Sequence, residues 1–157
     1  MKKLAVILAL VAITIGAFAQ APAKRSIASV DQEDQKVEIF AYDHADGTRG
    51  YYVGLHGEAF ILLGSNVNDA VTSLKQLYAL FDAPVGDSRK YTMLGGTSQK
   101  LSEEAGTATV VVVKKNKKVL AVNYQLDGKK KAATIQKATA KNLLKFLTGY
   151  QKRHPDR

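Results

Sequence analysis

The sequence predicts an α+β fold: an antiparallel sheet built from two successive βββα units, with both helices packed on one face of the sheet. Three short strand patterns separated by turn residues occur twice along the chain, and a segment with helical periodicity follows each group. Strands that succeed one another before a helix favour meanders and antiparallel pairing. We expect the units over residues 35–82 and 107–151, within a single globular domain at 35–151.

The first unit is predicted as a three-stranded meander followed by a helix. Residues 36–42 and 51–55 are strand patterns on either side of the turn dipeptide Asp46-Gly47, and residues 59–63 form the third strand. Apolar residues spaced by three and four positions then predict a helix over residues 67–81. The apolar stripe of this helix must cover one face of the sheet.

The second unit has the same order of elements. Residues 107–113 and 118–125 are strand patterns joined by a lysine-rich turn. Asp127-Gly128 predicts a hairpin turn before a third strand at residues 131–136. Thr139 is expected to cap the helix that closes the unit.

Three segments lie outside the two units. Residues 20–34 have no sustained apolar period and are expected to form a flexible leader. Residues 85–106 are expected to connect the units, with a short strand at residues 91–94. Residues 152–157 are interpreted as a basic tail.

A secretory signal peptide is expected over residues 1–19. Lys2 and Lys3 precede an apolar run, and Ala17-Phe18-Ala19 places small residues where a signal peptidase requires them, with cleavage before Gln20. The run is shorter than the roughly 20 apolar residues of a transmembrane helix, and no second such segment follows. The pattern therefore predicts a periplasmic or secreted protein that is not transmembrane.

Both faces of the first meander are apolar. One face carries Val37, Ile39, Val53, Ile61 and Leu63, and the opposite face carries Phe40, Tyr42, Tyr52, Phe60 and Leu62. One set is expected to meet the helices. The other set is too apolar for a solvated surface and predicts a second core, a cleft or a homodimer interface.

The charges divide the chain into two halves. Residues 20–106 contain eight Lys and Arg against twelve Asp and Glu, whereas residues 107–157 contain thirteen against two. Such an asymmetry favours attraction of a polyanion to the second half, although a lysine surface that only maintains solubility explains it equally well. The lysines proposed to bind an anion are Lys114, Lys115, Lys117, Lys118, Lys129, Lys130, Lys131, Lys137, Lys141 and Lys145.

The sequence predicts no catalytic, cofactor or metal site. Cysteine is absent, and no serine stands in a nucleophile-elbow motif. Asp43-His44-Ala45-Asp46 resembles a short ligand cluster, but a metal site needs a further converging ligand and Asp46 is already required by its turn. His56 and Glu58 are interpreted as turn residues because neither pKa would be tuned for acid–base catalysis at a hairpin tip.

These observations predict a small exported protein that binds without catalysis. The expected partner is an anionic envelope component or an acidic protein, and export makes nucleic acid unlikely as a ligand. The alternative is a structural or assembly protein that homodimerises through an exposed apolar sheet face. An enzyme that uses His44, Asp46, His56 or Glu58 is the third and weakest hypothesis.

Overall fold

The computed structural model describes residues 21–33, 35–97 and 99–155, and the signal peptide predicted over residues 1–19 lies outside them. In the described residues the chain forms an eight-stranded antiparallel sheet, whose spatial order follows the chain order, and two helices. The strands are β1 (Ala23–Gln32), β2 (Gln35–Asp43), β3 (Arg49–Leu55), β4 (Ala59–Gly64), β5 (Ser88–Gly96), β6 (Leu101–Lys114), β7 (Lys118–Leu126) and β8 (Lys129–Gln136). The helices are α1 (Val67–Ala79), continued by a 3-10 turn at Leu80–Asp82, and α2 (Lys137–Arg153).

The sheet is curled, so that its first and last strands approach each other at one end. The side chain of Gln32 in β1 donates to the carbonyl of Thr134 at 2.7 Å and accepts from the backbone N–H of Gln136 at 2.7 Å. Gln35 donates to the same carbonyl at 2.6 Å. These hydrogen bonds involve glutamine side chains. At this point, β1 and β8 are therefore joined through side-chain amides rather than through backbone hydrogen bonds.

Both helices pack against the inner face of the curled sheet. The helix α1 buries Val67, Ala70, Val71, Leu74 and Leu77, and α2 buries Thr139, Ala140, Leu143 and Leu147. The inner strand residues belong to the same core, as the alternation of β2, β3 and β4 predicts. An α+β fold with an antiparallel sheet is therefore confirmed.

The two helices run in opposite directions beside each other. Lys137 in the first turn of α2 lies 4.0 Å from the carboxylate of Asp82 at the end of the 3-10 turn. At the other end, Gln151 donates to the side chain of Asn68 at 2.8 Å. Asn66 caps α1 by accepting from the N–H of Asp69 at 2.9 Å, which satisfies one of the donors left free in a first helical turn.

Three strands were not predicted in full. Residues 23–32, most of the segment predicted as a flexible leader, form β1 and pair with β2. The connecting segment forms β5 and the first part of β6, rather than a short strand at residues 91–94. Each helix consequently follows four consecutive strands, and the predicted βββα detail is not confirmed. The closing helix begins at Lys137 after Gln136, so Thr139 lies inside its first turn and does not cap it.

The outer face carries a second, smaller apolar core. Its buried members are Phe40, Tyr42, Tyr52, Phe60, Leu94 and Leu101, with Leu62 packed beside them. Leu94 and Leu101 come from the hairpin of β5 and β6, and the backbone N–H of Leu101 donates to the hydroxyl of Tyr42 at 3.4 Å. The hairpin therefore covers the outward aromatic residues within the same chain.

Candidate functional site

The turn between β6 and β7 presents three exposed lysines. Lys114 pairs with Lys118 at the end of the ladder, and the backbone N–H of Lys115 donates to the carbonyl of Lys117 at 3.2 Å. This tight closure holds the side chains of Lys114, Lys115 and Lys117 in solvent. Within the described residues, no carboxylate lies within ion-pair distance of these three side chains.

Two further lysines connect this turn to the helices. The ammonium group of Lys118 donates to the carbonyl of Ala83 at 2.8 Å, just beyond the end of α1. Lys137 follows Gln136, which pairs with Val119, and its ammonium lies near Asp82. Because the side chains of Lys137 and Asp82 are largely exposed, that pair contributes little to stability.

The exposed side of α2 extends the positive charge. Lys137, Lys141 and Lys145 recur every four residues and all three are exposed. The helix contains no acidic residue, and Lys152 and Arg153 lie in its last turn. The basic band is defined here as the turn lysines together with the helix lysines: Lys114, Lys115, Lys117, Lys118, Lys137, Lys141 and Lys145.

The remaining predicted anion-binding lysines lie elsewhere. Lys129, Lys130 and Lys131 begin β8 beside the turn that joins it to β7, whereas the basic band begins at the other end of β7. At about 3.4 Å per residue, the nine residues of β7 separate these ends by roughly 25–30 Å. The structure therefore does not bring all ten predicted lysines together.

Lys131 is engaged by Glu58. Its ammonium group lies 3.0 and 2.9 Å from the two carboxylate oxygens of Glu58, and the hydroxyl of Tyr124 donates to the same carboxylate at 3.0 Å. The hydrogen bond from Lys131 holds the pKa of Glu58 below its usual value, and burial raises the pKa of Tyr124 to about 12. Glu58, interpreted from the sequence as a turn residue, thus ties the turn before β4 to β7 and β8.

The short ligand-like cluster at residues 43–46 does not converge. The carboxylate of Asp43 accepts from Arg49 at 3.1 Å, and this contact lowers its pKa. Asp46 accepts from both the backbone and the hydroxyl of Thr48 within its own turn. His44 faces Tyr52 instead. No group of three or more metal-binding side chains occurs among the residues that the structure describes.

A groove of about 900 Å3 opens on the outer face, between the turn after β2 and the tip of the β5–β6 hairpin. His44 Nε2 lies 2.7 Å from the hydroxyl of Tyr52, and Lys100 and Asp46 also line the groove. Burial raises the pKa of Tyr52 to about 12, so its hydroxyl stays protonated near neutral pH. The groove offers hydrogen bonds but no activated nucleophile in its described lining.

His56 does not complete an acid–base pair. It is exposed at the turn between β3 and β4 with a positive φ of 53°, while the carboxylate of Glu58 is bound to Lys131. A general base needs a free lone pair directed at a substrate, and the carboxylate of Glu58 is occupied by two donors. The carboxylate of Glu58 therefore contacts the second half of the chain rather than His56.

Comparison with protein-family models, with curated protein sequences and with solved structures found no match to this chain. None of the described helices has the length and apolar character needed to span a membrane.

Proposed function

We propose that this protein is an exported, non-catalytic binding protein that attaches to an anionic envelope component through the basic band. The observation that supports the proposal is the position of the turn lysines beside the start of α2. The β6–β7 turn and the start of α2 are separated along the sequence by β7 and β8. Both nevertheless contribute positive charge to neighbouring parts of the surface.

Several weakly interacting lysines suit an extended anionic partner. One exposed ion pair contributes little because water and salt screen it, but charges within about 10 Å of one another act together on a polyanion. Exposed lysines also keep their side-chain freedom and adapt to a partner without a fixed geometry. An envelope polymer, a lipid headgroup surface or an acidic protein meets these conditions.

The assembly alternative receives less support. It requires a free apolar sheet face, yet Phe40, Tyr42, Tyr52 and Phe60 are at most 3% exposed within the single chain. Their contacts with Leu94 and Leu101 account for the apolar character that suggested a homodimer. The groove beside them is open to solvent, and its described lining includes both a positive and a negative side chain, Lys100 and Asp46.

Retention on immobilised heparin tests the proposal. The variant Lys114→Gln, Lys115→Gln, Lys117→Gln should elute at clearly lower salt than the wild type, because three cations of the basic band are removed from exposed positions. A charge-matched control is Lys75→Gln, Lys129→Gln, Lys130→Gln, which removes three exposed cations outside the band. The control should elute close to the wild type.

Two results contradict the proposal. Equal shifts for the two triple variants would show that only net charge matters. A wild type that is not retained even at low salt would show that the lysines serve solubility alone.

A further inference from the structure

The groove on the outer face lies where the ladder between β4 and β5 ends. This ladder contains three residue pairs and stops at Ile61 and Met93. Leu62 and Thr92, the next residues of the two strands, line the groove instead of pairing with each other. The groove thus follows from the course of the strands, and its volume of about 900 Å3 lies within the range of small-molecule sites.

The floor of the groove is held in place by contacts within the chain. The ring of Tyr52 stacks on Phe40 with 5.6 Å between centroids, and its hydroxyl lies 2.7 Å from His44 Nε2. Gly50 makes this position possible, because a Cβ atom there would lie 2.5 Å from the Tyr52 ring. His44 in turn packs edge-on against Tyr42, with centroids 4.9 Å apart. A floor whose side chains are already ordered loses little conformational freedom when a ligand binds.

The described lining of the groove carries charges of both signs. Asp46 accepts from the backbone and the hydroxyl of Thr48 through one oxygen, Oδ1, which leaves Oδ2 able to accept a further hydrogen bond. The side chain of Lys100 is exposed and provides a donor. A ligand with a single ionic charge would be attracted by one of these groups and repelled by the other. The two side chains together therefore favour a neutral ligand over an ion.

Hydroxyl groups and apolar surface complete the lining. Thr92 and Ser102 contribute hydroxyls, which both donate and accept, and Leu62 and Leu94 contribute apolar surface. A saccharide matches this combination, because its hydroxyls donate and accept at the edge of the ring while its C–H groups form an apolar face. A purely apolar ligand would leave the polar groups of the groove without partners, which costs free energy.

We propose that the groove on the outer face binds a neutral saccharide, whose hydroxyls bond Asp46, Thr92 and Lys100 and whose C–H face contacts Leu62. This inference goes beyond the proposed function and does not depend on it. The described lining of the groove shares no residue with the basic band, so the two proposals fail or stand separately.

Two-dimensional amide NMR spectra of the full mature chain test the site. Trisaccharides of glucose, mannose, galactose and N-acetylglucosamine are titrated separately. At least one of them should shift the amide signals of Thr92 and Lys100 in a saturable way, while the signal of Lys115 in the basic band stays in place. Added salt should leave the affinity nearly unchanged, because the ligand carries no charge to be screened.

Thr92→Val removes one hydroxyl from the groove and keeps the shape of an exposed strand residue. The affinity for the trisaccharide should fall by roughly three- to tenfold, the value of one hydrogen bond. The control Thr107→Val makes the same change at the exposed position that pairs with Thr92 on the neighbouring strand, outside the described lining. This control should bind as the wild type does. Retention of Thr92→Val on heparin should equal that of the wild type, because no charge changes.

The contrary outcomes are distinguishable. If no trisaccharide shifts the signals of the groove, the saccharide inference is overturned. Equal weakening by Thr92→Val and Thr107→Val would overturn it in favour of a ligand on the open sheet face. Larger saturable shifts with octanoate, or an affinity that falls as salt is added, would show that the groove prefers an anion. A wild type that binds a trisaccharide but is not retained on heparin overturns the proposed function alone.

Discussion

At the residue scale, Glu58 is held by two donors from the second half of the chain. Lys131 and Tyr124 both contact its carboxylate, which lowers its pKa. A group whose folded pKa is depressed stabilises the protein above its unfolded pKa, about 4.3 for glutamate. That stabilisation is lost as the pH falls through the folded value.

Glu58→Gln should therefore destabilise the protein in a pH-dependent way. Because the side chains of Glu58 and Lys131 are about one third exposed, the loss at pH 7 should be about 0.5–1 kcal/mol. The difference from the wild type should shrink at an acid pH below the depressed folded pKa, where the wild-type carboxylate becomes protonated. Urea unfolding at neutral and acid pH measures the difference in free energy of unfolding between the variant and the wild type. Asp127→Asn, at an exposed position, is the control. An equal difference at both pH values would contradict a stabilising role for the ionised carboxylate of Glu58.

Gly50 in β3 provides a second test at this scale. A Cβ atom added there would lie 2.5 Å from the ring of Tyr52, which covers the glycine on the outer face. Tyr52 belongs to the buried outer core and bonds His44, so its ring cannot shift freely. Gly50→Ala should cost about 1–3 kcal/mol, the range for overpacking.

The matched control for that variant is Gly149→Ala. Position 149 lies in α2, and the nearest atom to an added Cβ is 3.5 Å away, an ordinary contact. Alanine is the better helix former by roughly 1 kcal/mol, so this variant should be as stable as the wild type or more so. Thermal unfolding of Gly50→Ala and Gly149→Ala measures the two effects. Equal destabilisation would contradict a steric clash between the added Cβ at position 50 and Tyr52.

At the scale of elements, α1 shows how a sequence period becomes a packed helix. Leu74 is fully buried in the middle of its apolar stripe and belongs to the core that contains residues of the sheet and of α2. Leu74→Ala should lower the free energy of unfolding by about 2–5 kcal/mol, the range for a buried leucine that leaves a cavity. Lys75→Ala, at the exposed neighbouring position, should change it by less than about 0.5 kcal/mol. Denaturant unfolding compares them, and similar values would mean that α1 is not docked through this stripe.

At the scale of the whole molecule, Gln32 links the first and last strands of the curled sheet. Its side chain is 4% exposed and satisfies both the carbonyl of Thr134 and the N–H of Gln136. Gln32→Ala should cost about 1–3 kcal/mol, because it leaves the N–H of Gln136 without this partner. Hydrogen exchange at Gln136 should accelerate more than exchange in the β6–β7 ladder.

Gln35→Ala is the control for the closure of the sheet. Gln35 donates only to the carbonyl of Thr134, which still receives the bond from Gln32. We therefore expect Gln35→Ala to lower the free energy of unfolding by less than Gln32→Ala does. If both variants destabilise equally, the closure does not depend on Gln32.

Of the candidate site, the sequence predicted the lysines but not their grouping. Lys141 and Lys145 share a helix face by a local period, and Lys114, Lys115 and Lys117 share one turn. Whether these two groups lie close together depends on the antiparallel pairing of β7 and β8, which brings the start of α2 back to the β6–β7 turn. The same pairing places Lys129 and Lys130 at the other end of β7. Phe146 is exposed although its neighbour Leu147 is buried, and only the packing of α2 shows this.

The sequence by itself determined the α+β class, the positions of both helices and the apolar character of both sheet faces, because these follow from periods of two and 3.6 residues within short segments. Only the tertiary structure decided that residues 23–32 form an edge strand, that a hairpin covers the outer aromatic residues, and that Glu58 binds Lys131. The deciding contacts join residues 66 positions apart at Glu58 and Tyr124, and 104 apart at Gln32 and Gln136. No local pattern encodes such pairs, since each side chain gains its partner only after the sheet has curled.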